Sequence, residues 1–109
     1  MGYVYLILEV SEDGSEERHK IGISKNDPSI RVKNLQTGNP SIISLLNSYE
    51  SKNYKKIEKW LHRKFALKKT SANNEWFNLD DADVINFKNT CQEAEKTINF
   101  LIEHNPFFK

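Results

Sequence analysis

Residues 3–10, YVYLILEV, are rich in β-branched and aromatic side chains and are apolar on both alternating faces, the pattern of a central strand. A polar loop follows, SEDGSEE at 11–17, with Gly14 at its turn. RHKIGIS at 18–24 reads as the return strand, so the two form an antiparallel hairpin. NDPSIRVKNLQTGNP at 26–40 carries helix punctuation: Asn26 or Asp27 as cap, Pro28 in the first turn, Gly38 past the end and Pro40 to bar continuation. Ile30, Asn34 and Thr37 share one side of that helix, with Val32 and Leu35 on another. SIISLLNSYE at 41–50 reads as a third strand beside the hairpin. In SKNYKKIEKWLHRKFALKK, 51–69, Tyr54, Ile57, Leu61 and Phe65 recur at the helical period and predict one buried stripe. TSANNEWFNL at 70–79 is irregular, with a short extended piece at 75–79. Asp80 or Asp81 caps a last helix of about 20 residues. Its apolar set is Val84, Ile85, Phe87, Cys91, Ala94, Ile98, Leu101 and Ile102.

This order, β-β-α-β-α plus a C-terminal helix, predicts a small α+β domain with a three-stranded antiparallel sheet flanked by helices. Residues 1–79 form its core, and 80–109 form a helical extension packed on the same domain.

With 109 residues the chain fits one domain that needs no metal or disulfide staple. Cys91 is the single cysteine, so no disulfide closes within the chain, which fits a reducing compartment. No apolar run is long enough to span a membrane, and VYLILEV is short and followed by acids, unlike a signal peptide. The expectation is a soluble protein of the cytoplasm, or of the nucleus in a eukaryote or its virus.

Net charge is only +1, but its distribution changes the picture. Residues 1–24 are net −3, 25–50 net +1, 51–70 net +7 and 71–109 net −4. One strongly basic helix in an otherwise acidic chain is the footprint of a nucleic-acid contact, as well as a pattern a solvated helix face can carry. Lys55, Lys59, Arg63 and Lys69 are the candidates for phosphate contact, which positions a duplex without reading its sequence.

HKIGIS, at 19–24, holds a lysine and a glycine inside a strand, where both are disfavoured. Period two places Tyr3, Tyr5 and Ile7 on one face of the first strand, and Lys20, Gly22 and Ser24 on one face of the second. The hairpin can therefore set Tyr5 and Lys20 on the same side. Arg31 opens the first helix. Glu58, the one acid of the basic segment, lies about 100° around from Ile57, with His62 one turn further, on the margin of the buried stripe. His19 and His104 carry no signal, and no Cys/His spacing suggests zinc.

At these residues the chain resembles the GIY-YIG nucleases. VY at 4–5 is similar to their first signature, and KIG at 20–22 to their second with lysine in place of tyrosine. Arg31 matches the family arginine and Glu58 the metal-binding glutamate. RVKNLQTGNP, the Glu58-x-x-x-His62 pair and EWFNL resemble the phage T5-type branch, over residues 2–79. The resemblance implies hydrolysis of DNA phosphodiesters with one divalent metal, Mg2+ or Mn2+, in a protein of phage or mobile-element kind. It implies that Tyr5 orients or deprotonates water, that Arg31 holds the scissile phosphate, and that Glu58 binds the metal. Lys20 takes the place of the second tyrosine. Apart from those roles, His62 would assist proton transfer or hydrogen-bond a ligand of the site, or else be a structural histidine closing the helix against EWF.

Elementary chemistry agrees. A hard cation can be held by one carboxylate with water and phosphate completing its shell. Arginine offers phosphate a bidentate fork. An ammonium beside a phenol favours the phenolate, so Lys20 would activate Tyr5 or contact the phosphate directly. Gly22 would let substrate or a helix approach the sheet. Two other readings stand beside the enzyme: a nucleic-acid-binding module without catalysis, and a partner-binding domain docking through the last helix and its NPFF tail. Without an appended recognition element, target choice would fall to a homodimer, a partner protein or the terminal helix.

Overall fold

The computed structural model describes residues 1–70, 76–105 and 107. Three long strands, β1 (Gly2–Val10), β2 (Glu17–Ser24) and β3 (Ile42–Ser51), form an antiparallel sheet with β1 in the middle. A fourth strand, β4 (Trp76–Phe77), pairs with β2 at His19 and Lys20 only, giving the order β3-β1-β2-β4. The sheet thus has one strand more than the pattern of the sequence predicts. Two residues are too few to show a period of two. Glu75 of the EWFNL motif lies outside the described residues, as do residues 71–74, 106, 108 and 109.

Helix α1 (Pro28–Gln36) begins as its punctuation requires. The Asp27 side chain accepts from the Ser29 amide at 3.0 Å, Pro28 opens the first turn, and Gly38 takes a positive φ of 72° just past the end. Of its two apolar sides, the packed one carries Val32 and Leu35, which cover Tyr5, Ile7 and Ile43; Ile30 is exposed. Helix α2 (Tyr54–Lys64) and the 3-10 turn at Ala66–Lys68 bury Tyr54, Ile57, Leu61 and Phe65 as the spacing predicts. They meet Val4, Leu6 and Ile21 on the opposite face of the sheet from α1.

β3 serves both faces through a bulge. Leu6 pairs with Asn47 and Ile7 with Leu45, so Leu46 is the extra residue. The bulge shifts the period-two phase. Ile43 and Leu45 face α1, whereas Tyr49, also an odd position, faces the other side.

The last helix is two helices. Asp80 and Asp83 form a reciprocal capping box for α3 (Asp81–Ile85), and Lys68 bridges both carboxylates, at 3.3 and 2.5 Å. α3 ends at Asn86, whose amide and side chain both donate to the Ala82 carbonyl, and α4 (Phe87–His104) starts at the next residue. Ile85, counted with the apolar set, is exposed, because it stands two residues before the buried Phe87 and off its stripe. Phe87, Cys91, Ala94 and Ile98 pack into the same core as α2. Burial pushes the Cys91 thiol up to about 12, so it stays protonated.

A polar seam ties α4 to the sheet. Glu95 accepts from the Tyr49 hydroxyl at 2.6 Å and from the Ser51 hydroxyl, while the Asn53 amide donates to Asn99 at 2.9 Å. Burial, then the Glu95 carboxylate, pushes Tyr49 up to about 12, which keeps it a donor.

Glu95→Ala leaves two hydroxyls without their acceptor, and should lower stability by about 1–3 kcal/mol in urea unfolding. His19 is buried, its Nδ1 without a partner among the described residues. Burial lowers its pKa, against the pull of Glu17, Asp83 and Asp81. The fold therefore favours neutral imidazole. Stability should be fully present above the free-histidine value of about 6.5 and fall as pH drops below it. Thermal melts across that range should show this slope in wild type and a flatter one in His19→Gln.

Candidate functional site

Cross-strand register explains the glycine in KIG. Tyr5 pairs with Gly22 and Ile7 with Lys20, so Tyr5, Gly22 and Lys20 share the α1 face, with Tyr5 and Lys20 diagonal neighbours. The Tyr5 ring lies across β2. A methyl group built on Gly22 would sit 2.5 Å from the ring carbon Cζ and would collide with the hydroxyl. The expectation that this gap admits substrate or a helix is corrected: the tyrosine itself fills it. The hydroxyl is thereby carried over β2 toward the edge that β4 leaves uncovered beyond Lys20.

Lys20 is 7% exposed, and its ammonium lies 5.7 Å from the centroid of Trp76, its partner on β4. Arg18, two residues earlier on the same face, stacks on that indole at 4.0 Å and pairs with Glu9 at 2.6 Å. Trp76 thus holds two cations, a role that reading 75–79 as a short extended piece did not include. The period-two spacing of Arg18 and Lys20 was the available signal.

Arg31 is exposed in the first half of α1, one turn before Leu35, on the margin of the stripe that covers Tyr5. Glu58 and His62 come from the other face. His62 places Nε2 2.9 Å from the Ile21 carbonyl oxygen, and its ring meets Phe77 edge-on at 5.2 Å. A carbonyl only accepts, so Nε2 carries the hydrogen. This bond pins α2 to β2 one residue from Gly22. Glu58, half-buried and one turn before His62, follows the same flank of α2. The Tyr54 ring packs on Gly2 at the start of β1, which fixes the direction of the helix across the sheet.

The structure therefore places Tyr5 and Lys20 on the face that α1 covers, with Arg31 exposed on that helix, and Glu58 and His62 on α2, which packs against the opposite face. Among the described residues no group of three His, Cys, Asp or Glu could hold a metal ion together. A single glutamate suits only a hard cation that keeps most of its shell as water or phosphate. Lys55, Lys59, Arg63 and Lys69 are all exposed, but they do not form one row: Lys59 and Arg63 line a groove between α2 and α4, and Lys69 lies beyond the 3-10 turn. Lys68 is withdrawn from the basic run by Asp83 and Asp80, which also raise its pKa.

These features define a small α+β domain with polar side chains gathered around one strand of an antiparallel sheet. A family model, the T5orf172 domain, matches residues 2–99, and the chain belongs to that family, which is related to nuclease-like modules. The matched region continues through α3 into α4, past the motifs at 2–79. No curated protein and no solved structure matches the chain. Among the described residues no helix is long and apolar enough to cross a membrane.

Gly22→Ala should force the Tyr5 ring from its seat and cost about 1–3 kcal/mol in urea unfolding, the range for overpacking. A midpoint equal to wild type would mean that the ring is free to swing away.

Proposed function

We propose that the chain is a metal-dependent endonuclease of the GIY-YIG kind, hydrolysing phosphodiester bonds in DNA. The observation that carries this reading is the arrangement about β2: the Tyr5 hydroxyl laid over Gly22 on one face, and α2 tied from the other face to the adjacent Ile21 carbonyl by the residue one turn after Glu58. Membership of a family related to nuclease-like modules supports it.

In this reading Arg31, exposed beside the Tyr5 layer, takes the scissile phosphate in a bidentate grip and offsets charge as it grows. Tyr5 orients the attacking water through its Oη. Lys20, diagonal to it, holds a phosphate oxygen. Trp76 keeps the lysine stem and ammonium in place. His62 acts as a positioning residue, because its Nε2 proton is committed to the Ile21 carbonyl and its bond sets where Glu58 stands. Glu58 would hold Mg2+ or Mn2+, which when bound supplies Lewis-acid stabilisation of the leaving oxygen.

Binding without cleavage is a second reading, favoured by one observation: Tyr5 and Lys20 are only 1% and 7% exposed. Nicking of supercoiled plasmid separates the two. Wild type should nick with magnesium or manganese and not with chelator. Glu58→Gln should lose about 10²-fold or more in rate, the scale of removing one electrostatic stabiliser, while keeping its fold. A Glu58→Gln protein that cuts at the wild-type rate sinks the assignment; wild type that binds DNA in every metal yet never cuts supports the second reading.

A further inference from the structure

Helix α2 has a second working flank. Lys56, Lys59, Trp60 and Arg63 follow the i, i+3, i+4, i+7 spacing of one helix face, turned away from the Glu58 and His62 flank. With Ile98 and Leu101 of α4 they line a groove of about 390 Å³ between the two helices. No carboxylate is among its lining residues. Lys59 and Arg63 are exposed, and among the described residues neither forms an ion pair. The acids of α4 nearest in sequence are turned elsewhere: Glu95 is held by Tyr49 and Ser51, and Glu103 lies beside His104.

The lining combines two features that one ligand class needs together. Its cations suit a chain of phosphates. Trp60, half-buried, with Ile98 and Leu101 offers an apolar and aromatic floor between the helices. A duplex presents phosphates but keeps its bases stacked inside, so it would use the cations and leave that floor unfilled. An unpaired strand presents both phosphates and free base faces, which is why single-strand sites pair basic grooves with aromatic side chains.

We propose that the α2–α4 groove is a subsite for an unpaired segment of nucleic acid, with Lys56, Lys59 and Arg63 on its phosphates and Trp60 against a base. The proposal rests on the nuclease reading only for the class of partner, and it narrows the substrate to nucleic acid with an unpaired stretch. A strand in the groove would lie roughly one helix diameter, about 10–12 Å, from the flank that carries Glu58.

The test is fluorescence anisotropy of the full chain in chelator, with a labelled oligothymidylate and, separately, a labelled hairpin duplex. Wild type should bind the oligothymidylate. Trp60→Leu should weaken that binding about tenfold, within the range for loss of one base–aromatic stack. Trp60→Phe, which keeps a ring, should restore most of it, and duplex affinity should change less than about twofold in both. The Lys59→Gln/Arg63→Gln double variant should weaken both probes and flatten their salt dependence. Thermal melts of each variant exclude loss of fold as the cause. Three results would overturn the proposal: no oligothymidylate binding by wild type, equal weakening of both probes by Trp60→Leu, or the groove taking an acidic leucine-bearing peptide in preference to the oligothymidylate. The assay needs no cleavage. If plasmid nicking fails while oligothymidylate binding holds, only the nuclease reading falls; in the reverse case only the groove does.

Discussion

The Tyr5 ring occupies the volume that any side chain at position 22 would need, and much of the molecule is arranged around that overlap. It requires glycine in the middle of a strand, where glycine is otherwise unfavourable for want of packing. It also requires a lid on the ring, which α1 supplies through Val32 and Leu35 once Asp27 and Pro28 have started the helix at the right place. With α1 above the ring and β2 below it, Tyr5 is almost wholly buried and its ring is held by packing on both sides.

Helix α2 is the second organising part, because three different faces of it are in use. One face is the core stripe of Tyr54, Ile57, Leu61 and Phe65. A flank beside it bears Glu58 and His62 and is fastened to the Ile21 carbonyl. The flank beyond carries Lys56, Lys59, Trp60 and Arg63 against α4. Burial of the stripe fixes the rotation of the helix, and that rotation then aims both flanks at once. The strong charge of residues 51–70 is accordingly divided. Lys68 is half-buried and tied to the α3 capping box, while Lys59 and Arg63 line a groove.

The same structure shows how a small sheet serves two layers. The bulge at Leu46 lets β3 give Ile43 and Leu45 to one face and Tyr49 to the other. Tyr49 and Ser51 then anchor α4 through Glu95, a buried-edge polar seam in which the acceptor oxygens and donor hydroxyls satisfy one another. Were α4 loosened there, the outer wall of the basic groove would go with it, so the seam connects stability to the groove rather than to the β2 edge.

Much of this was legible along the chain, and the particular residues show why. Strands β1 to β3, the start and stop of α1 and the stripe of α2 depend on local patterns, namely alternation, capping and a 3.6-residue period, so the sequence alone determined them. Lys20 stood out because lysine is disfavoured inside a strand, whereas Tyr5, Arg31 and Glu58 stood out by the order and spacing of motifs that resemble nuclease signatures. What the sequence could not supply is whatever depends on contacts between residues distant along the chain. β4 is two residues long and is held by its pairing with β2 on one side and by the bridge from Lys69 on the other. The end of α3 at Asn86 and the exposure of Ile85 just before it show only in the folded chain. The sequence left His62 open between assisting the site and closing the helix against EWF, and its bond to Ile21, like the two cations on Trp76, came into view only in the fold. Local propensity acts over a few residues and can be read in one dimension. The occupant of the space above Gly22, and the pairing of α2 with α4, are decided by packing in three dimensions, where a neighbour fifteen or forty residues away competes on equal terms with the next residue in the chain.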